Sequence, residues 1–242
     1  MKYLLPFLLL SGFARSGELV KFPAADGLPV TAEISKIADP EAPFLILCHQ
    51  AGWSRGEYSE TANWFNELGF HTLALDQRSG GEVNGVLNQT AKLAKERGLS
   101  TDYLDAKQDI EAALDYVRKT YAPQKIVLLG SSYSASLVLR ITGENKYPVD
   151  AVLAFSPGEY FQDQSDYVAS KGGKIQAQVF ITSAANERHQ WTDIAKAIPK
   201  NLVNAFIPNE KGEHGSRALW QGKSGWPLYR RAVQAFLARI HE

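Results

Sequence analysis

Lys125-Ile-Val-Leu-Leu-Gly-Ser-Ser-Tyr-Ser-Ala-Ser-Leu-Val-Leu139 is read first. After Lys125, four aliphatic residues run into Gly130-Ser-Ser, and small and apolar residues at helical spacing follow. A short apolar run bounded by a glycine and then a helix predicts a fully buried strand, a tight turn and a helix packed back on the sheet. The same alternation extends in both directions. Phe44 to His49, Phe70 to Asp76, Ala151 to Phe155, Gln176 to Thr182 and Leu202 to Ile207 are further apolar runs. Helical patterns fall between most of them, at Tyr58 to Leu68, Tyr103 to Thr120, Trp191 to Ala197 and, at the end, Leu228 to Ile240. Strands alternating with helices predict an α/β fold, a mostly parallel central sheet of about eight strands with helices on both faces. Two alternating stretches, Glu18 to Phe22 and Leu28 to Ser35, flank Asp26-Gly27 and predict an amino-terminal β-hairpin.

The chain has 242 residues with 45% hydrophobic content, enough for one domain over residues 17–242, and shows no repeat or long Pro/Gly linker. Lys plus Arg and Asp plus Glu both number 26, so no basic surplus exists to hold nucleic acid. Residues 1–16, MKYLLPFLLLSGFARS, carry Lys2, a short apolar run and small residues near Ala14 and Ser16, the layout of an export signal peptide. That run is too short to span a bilayer, so the expectation is a periplasmic or secreted protein without a stable membrane anchor. Cys48 is the one cysteine; it lies in an apolar run and predicts an inert buried thiol.

In open α/β sheets, sites form beyond the carboxyl ends of the strands. Gly130-x-Ser132-x-Ser134 sits at such an end, in the strand, turn and helix context of a nucleophile elbow, with serine where the last glycine is usual. The competing reading is a serine-rich helix cap. After Phe44 to Cys48 comes His49-Gln-Ala-Gly52, a turn able to aim backbone N–H groups above the elbow. The expected donors for a developing oxyanion are the amides of Tyr133 and of Gln50 or Ala51, while His49 reads as a residue that shapes the loop. After the last strand comes Gly212-Glu-His214-Gly215, and His214 alone among five histidines has a general base's placement. His71 opens a strand, His189 enters a helix and His241 is near the terminus. Glu187, beyond the strand ending at Thr182, is the expected acid partner, with Glu159 one strand earlier as the alternative.

Together these motifs resemble the α/β-hydrolase superfamily, and within it small bacterial esterases of the dienelactone-hydrolase-like type, from roughly Pro43 to the carboxyl terminus. The resemblance implies ester hydrolysis through a covalent acyl-enzyme on Ser132, with no metal and no other cofactor. The dienelactone hydrolases themselves use a cysteine nucleophile, so their substrate does not carry over. Trp53 and Tyr160, with Tyr58 and Tyr133, are candidate linings for a small-molecule ester substrate. Arg78 and Glu82 read first as solvated loop charges and second as selectors of a charged substrate. The irregular stretch Gln77 to Ser100 is expected to lie over the sheet's carboxyl edge, and the segment between Phe155 and Gln176 is too short for a large lid. Two other readings stay open: a non-catalytic binding protein on the same scaffold, and a peptidase or thioesterase with the same residues. A nucleotide-binding protein would want Gly-x-Gly-x-x-Gly or a phosphate loop, and neither is present.

Overall fold

The computed structural model describes residues 17–161 and 165–241; the signal peptide expected over residues 1–16 lies outside them. In chain order the strands are β1 (Glu18–Pro23), β2 (Pro29–Ser35), β3 (Phe44–Cys48), β4 (His71–Leu75), β5 (Glu82–Val83), β6 (Val86–Leu87), β7 (Ile126–Ser131), β8 (Ala151–Phe155), β9 (Gln178–Thr182) and β10 (Val203–Phe206). The helices are α1 (Thr61–Glu67), α2 (Gln89–Glu96), α3 (Lys107–Tyr121), α4 (Tyr133–Glu144), α5 (Ala169–Gly172), α6 (Arg188–Ala197) and α7 (Trp226–His241). An eight-stranded sheet runs in the order β1-β2-β4-β3-β7-β8-β9-β10. The β1/β2 hairpin adds to it antiparallel, and every pair from β4/β3 to β9/β10 is parallel.

Alternation along the strands divides the core into two layers. Ile126 and Leu128 of β7 face one cluster with Ile46, Ile110, Leu114 and Val138; Val127 and Leu129 face another with Leu47, Phe65, Val233 and Phe236. Helices α3, α4 and α6 cover the first face, while α1 and α7 cover the second. Strands buried on both sides carry no polar face, which is why they read as continuous apolar runs.

Register sets where a site can form. Cys48 pairs with Gly130, Ser131 with Phe155, Phe155 with Thr182, and Thr182 with Phe206. The chain therefore leaves β3, β7, β8, β9 and β10 at one edge within a residue of one another.

Two expectations need correction. The stretch from Gln77 to Ser100 is not irregular throughout: it holds the two-residue strands β5 and β6, and helix α2, whose Asn88 side chain accepts from Ala91 N at 2.8 Å. Nor is Arg78 a solvated loop charge. It is 2% exposed, gives Asp109 its backbone N–H at 2.8 Å and Nη2–H at 2.7 Å, and reaches Asp26 in the hairpin turn with Nη1 at 2.6 Å. Arg78 thus ties the loop after β4 to α3 and to the β1/β2 turn. Arg78→Met leaves Asp109 buried without its cation, and the expected cost is about 3–5 kcal/mol, read as a lower urea midpoint at unchanged slope. Recovery in Arg78→Met/Asp109→Leu is expected, because removing both charges removes the unpaired one.

Candidate active site

Each residue singled out in the sequence is placed by the strand before it. Gly130 ends β7's apolar run where a Cβ would lie 2.4 Å from Ser134 O, so only glycine lets the helix start this close to the strand. The chain then turns sharply: Ser132 has φ 59° and ψ −124°, a conformation costly for a residue with a Cβ. Its N–H donates to Phe155 O at 2.8 Å, and its carbonyl accepts from Ala135 N at 2.8 Å. Ser134, standing where glycine is usual, is buried; its hydroxyl donates to His49 O at 2.5 Å and accepts from Gln77 Nε2 at 2.7 Å. The extra hydroxyl thereby fastens the elbow helix to the loop after β3.

His214 is carried between Gly212 (φ 72°) and Gly215 (φ 68°) on the loop that follows β10. Its Nε2 lies 2.9 Å from Ser132 Oγ, and its Nδ1 lies 2.8 Å from Glu187 Oε1. A carboxylate only accepts, so the proton sits on Nδ1 and Nε2 is free to accept from the serine. Glu187 stands at the end of the turn Ala185–Glu187 that follows β9, and its Oε2 accepts from Ser156 Oγ at 2.8 Å. Burial pushes the Glu187 carboxyl up, but the bonds from His214 and Ser156 outweigh it and hold the group below the usual glutamate value. Ser156 in turn accepts from Gly215 N at 2.9 Å, tying the histidine loop to the acid. Glu159 is directed elsewhere: its carboxylate accepts from Val168 N and Ala169 N at 2.9 Å each, at the start of α5.

The two loops meeting the elbow divide the expected donor set. Tyr133 opens α4, so its N–H has no acceptor within the helix. Of the pair Gln50 and Ala51, Gln50 is corrected: its N–H is taken by Glu57 Oε2 at 2.7 Å. Ala51 N–H has no protein acceptor among the described residues, whereas Gly52 N and Trp53 N are engaged by Ser79 O and Gln50 O. His49 shapes this loop as expected. It is fully buried, its Nε2 accepts from Gln77 N at 2.9 Å, its Nδ1–H therefore donates to Gln50 O at 2.8 Å, and burial lowers its pKa.

Aromatic side chains stand on two sides. Trp53 stacks on Trp220 with ring centroids 5.4 Å apart. On the other side a cleft of about 570 Å³ is lined by Thr101, Tyr103, Leu104, Tyr160 and Phe161 together with the carboxylate residues Asp102 and Asp105. Tyr103 stacks on Tyr133 at 4.6 Å. Tyr160 donates to Ser156 O at 2.8 Å, and burial pushes its phenol up to about 12. Tyr58 does not line this cleft: it is buried in the second core cluster with its hydroxyl on Cys48 O at 2.7 Å. Burial raises the Cys48 thiol, in keeping with an inert cysteine. Sequence reading missed Glu57, Ser156, Ser216 and Trp220. Ser156 was within reach, since it follows β8 at the carboxyl edge; nothing in spacing marked the other three.

With this geometry in view, the comparisons with known proteins are consistent. Residues 39–205 match the family Hydrolase_4, described as "Serine aminopeptidase, S33", and the chain belongs to that family of α/β-hydrolases. The matched segment contains Ser132 and Glu187 and ends before His214. No curated protein matches the chain. Similar solved structures include an esterase of Pyrococcus furiosus, with a TM-score of 0.69 and 16% identity over 92% of each chain. Est1E of Butyrivibrio proteoclasticus, solved with ferulic acid bound, gives 0.68 and 17% over 92% of this chain and 100% of that one. A dienelactone hydrolase of Anabaena variabilis gives 0.65 and 14% over 92% and 97%. At such identities the likeness is one of fold.

Proposed function

We propose that the chain is a serine hydrolase that cleaves carboxylic esters of small or medium substrates through an acyl-enzyme on Ser132. The observation that carries this reading is the run of short contacts from Ser132 Oγ through the His214 ring to Glu187, 2.9 Å and 2.8 Å. His214 Nε2 takes the hydroxyl proton as Oγ attacks the ester carbonyl, and Glu187 fixes the tautomer and balances the imidazolium. The amides of Tyr133 and Ala51 hold the developing oxyanion, each such donor being worth roughly 10²–10³ in rate. The tetrahedral centre collapses as the protonated histidine gives its proton to the leaving alcohol. Water, deprotonated by the same nitrogen, then releases the acid. The cleft beside Tyr160 and the Trp53 face suit an apolar acyl or alcohol group. That similar folds are named esterases supports the choice of ester. The export pattern of residues 1–16 supports a periplasmic or secreted enzyme; among the described residues no helix is long and apolar enough to cross a membrane.

A panel of p-nitrophenyl esters of increasing acyl length, beside an aminoacyl p-nitroanilide and an acyl thioester, tests the reading. Turnover is expected to be highest on short to medium acyl esters. The anilide is included because the family description names an aminopeptidase. Cleavage of the anilide at rates matching the esters would move the reading to a peptidase, and inertness toward the whole panel would favour a binding protein on a hydrolase scaffold.

A further inference from the structure

Glu57 is a carboxylate with no exposed surface, in the turn Arg55–Tyr58 that follows the β3 loop. Among the described residues no lysine or arginine pairs with it. Its neighbours come from three separate segments: the loop after β3, the end of β7 and the loop that carries His214. Oε2 accepts from Gln50 N at 2.7 Å, and Oε1 accepts from Ser216 Oγ at 2.5 Å. Ser131, at the end of β7, joins them: its Oγ accepts from Ser216 N at 2.8 Å, and its hydroxyl favours the ionised form of the same carboxylate, which burial disfavours. Each of these residues adjoins a group the reaction needs. Gln50 precedes Ala51, Ser131 precedes Ser132, and Ser216 lies two residues after His214.

We propose that Glu57 is a positioning residue that holds the Ala51 amide, the Ser132 elbow and the His214 loop in one mutual geometry. This rests on the reading of Ser132 as nucleophile given above. Burying a carboxylate without a cation is costly, and an apolar side chain of similar volume would pack these loops at lower cost. What an apolar residue cannot do is accept from donors on separate loops at once in a fixed plane. The bonds continue into the acid: Ser216 follows Gly215, whose N–H reaches Ser156, which donates to Glu187. Space reinforces the arrangement. A Cβ on Gly215 would lie 2.5 Å from Ser131 Oγ and 2.7 Å from Gln50 Oε1, so the end of β7 and the two loops are also close-packed there.

A displacement of about 1 Å in such a site costs roughly 10²-fold in rate. Glu57→Gln has one acceptor oxygen in place of two, so one loop loses its anchor while the shape is kept. The experiment measures kcat and KM on p-nitrophenyl butyrate, and Ki for phenylboronic acid, whose serine adduct mimics the tetrahedral centre. The variants are Glu57→Gln, Glu57→Asp and Ser216→Ala, with folding followed by circular dichroism. The expected result is a fall in kcat of about 10- to 100-fold for Glu57→Gln, with KM within about threefold and Ki rising in parallel with the loss in kcat/KM. Glu57→Asp recovers part of the rate. Should Glu57→Gln not fold, Ser216→Ala, which leaves the Gln50 bond in place, carries the test with a smaller fall in kcat at constant KM. A folded Glu57→Gln with kcat and Ki within threefold of the parent overturns the proposal, as does a loss confined to KM. A parent protein inert toward every ester overturns the proposed function and this role with it; an active parent with unaltered variants overturns only the role of Glu57.

Discussion

Ser132→Ala lowers kcat on an activated ester by roughly 10⁴- to 10⁶-fold, the range expected when a nucleophile acting with its base is removed, and leaves the unfolding transition near that of the parent. The companion variant separates chemistry from strain. Ser132 occupies φ 59°, ψ −124°, and such a backbone costs a non-glycine residue about 1–3 kcal/mol. Alanine inherits that cost and glycine does not. Glycine loses about 0.5–1 kcal/mol through chain entropy, so Ser132→Gly is expected to be inactive yet more stable than Ser132→Ala by about 1 kcal/mol. A Ser132→Gly variant less stable than Ser132→Ala by about 0.5–1 kcal/mol, the entropy cost of glycine alone, would show that the elbow stores no strain.

Glu187→Gln is expected to lower kcat by about 10²- to 10⁴-fold, while Glu159→Gln stays within a few-fold of the parent. Glu187 accepts from two donors, His214 Nδ1–H on one oxygen and the Ser156 hydroxyl on the other. Glutamine offers one acceptor and a competing N–H₂, so either the imidazole is presented with the wrong tautomer or Ser156 loses its partner. Among the described residues, Glu159 meets only the amides that open α5. Its loss is a matter of a short helix end. The acid limb of stability separates the two as well. Because the folded-state pKa of Glu187 is held below its usual value, its contribution is present above the unfolded-state pKa and fades as pH falls through the folded one. Glu187→Gln removes that dependence. A crippled Glu159→Gln beside an active Glu187→Gln would exchange the two assignments.

Most of the sheet was legible because parallel strands buried on both faces leave unbroken apolar runs such as Ile126 to Leu129, and helices α3 and α7 leave clear stripes. Their boundaries moved by a few residues: the helix expected from Tyr103 starts at Lys107, since Asp102 to Ala106 form turns first. What stayed hidden was short or depended on distant partners. Strands β5 and β6 have two residues each, too few to show a period, and only the Asn84-Gly85 pair, both with positive φ, marks their turn. Arg78 is spelled like a loop charge; its burial depends on Asp109, 31 residues away, and Asp26, 52 away. The same holds at the site. Ser132 could be found because it follows β7 directly, and His214 because it lies on a glycine-flanked loop past the last strand; a strand's end is visible in sequence. Gln50 and Ala51 could not be told apart, because the difference is made by Glu57, whose position follows from the turn at Arg55–Tyr58 and not from any motif.

The account depends on one hydroxyl being activated by one imidazole, and covalent labelling reads that directly. The full chain is treated with a fluorophosphonate, digested, and the adduct located by fragment-ion mass spectrometry fine enough to distinguish Ser132 from Ser131 and Ser134. The account predicts a single adduct on Ser132, formed rapidly in the parent and slowed by at least about 10³-fold in His214→Ala. Ester turnover with the label on another residue, or labelling of Ser132 at the same rate without His214, would contradict it.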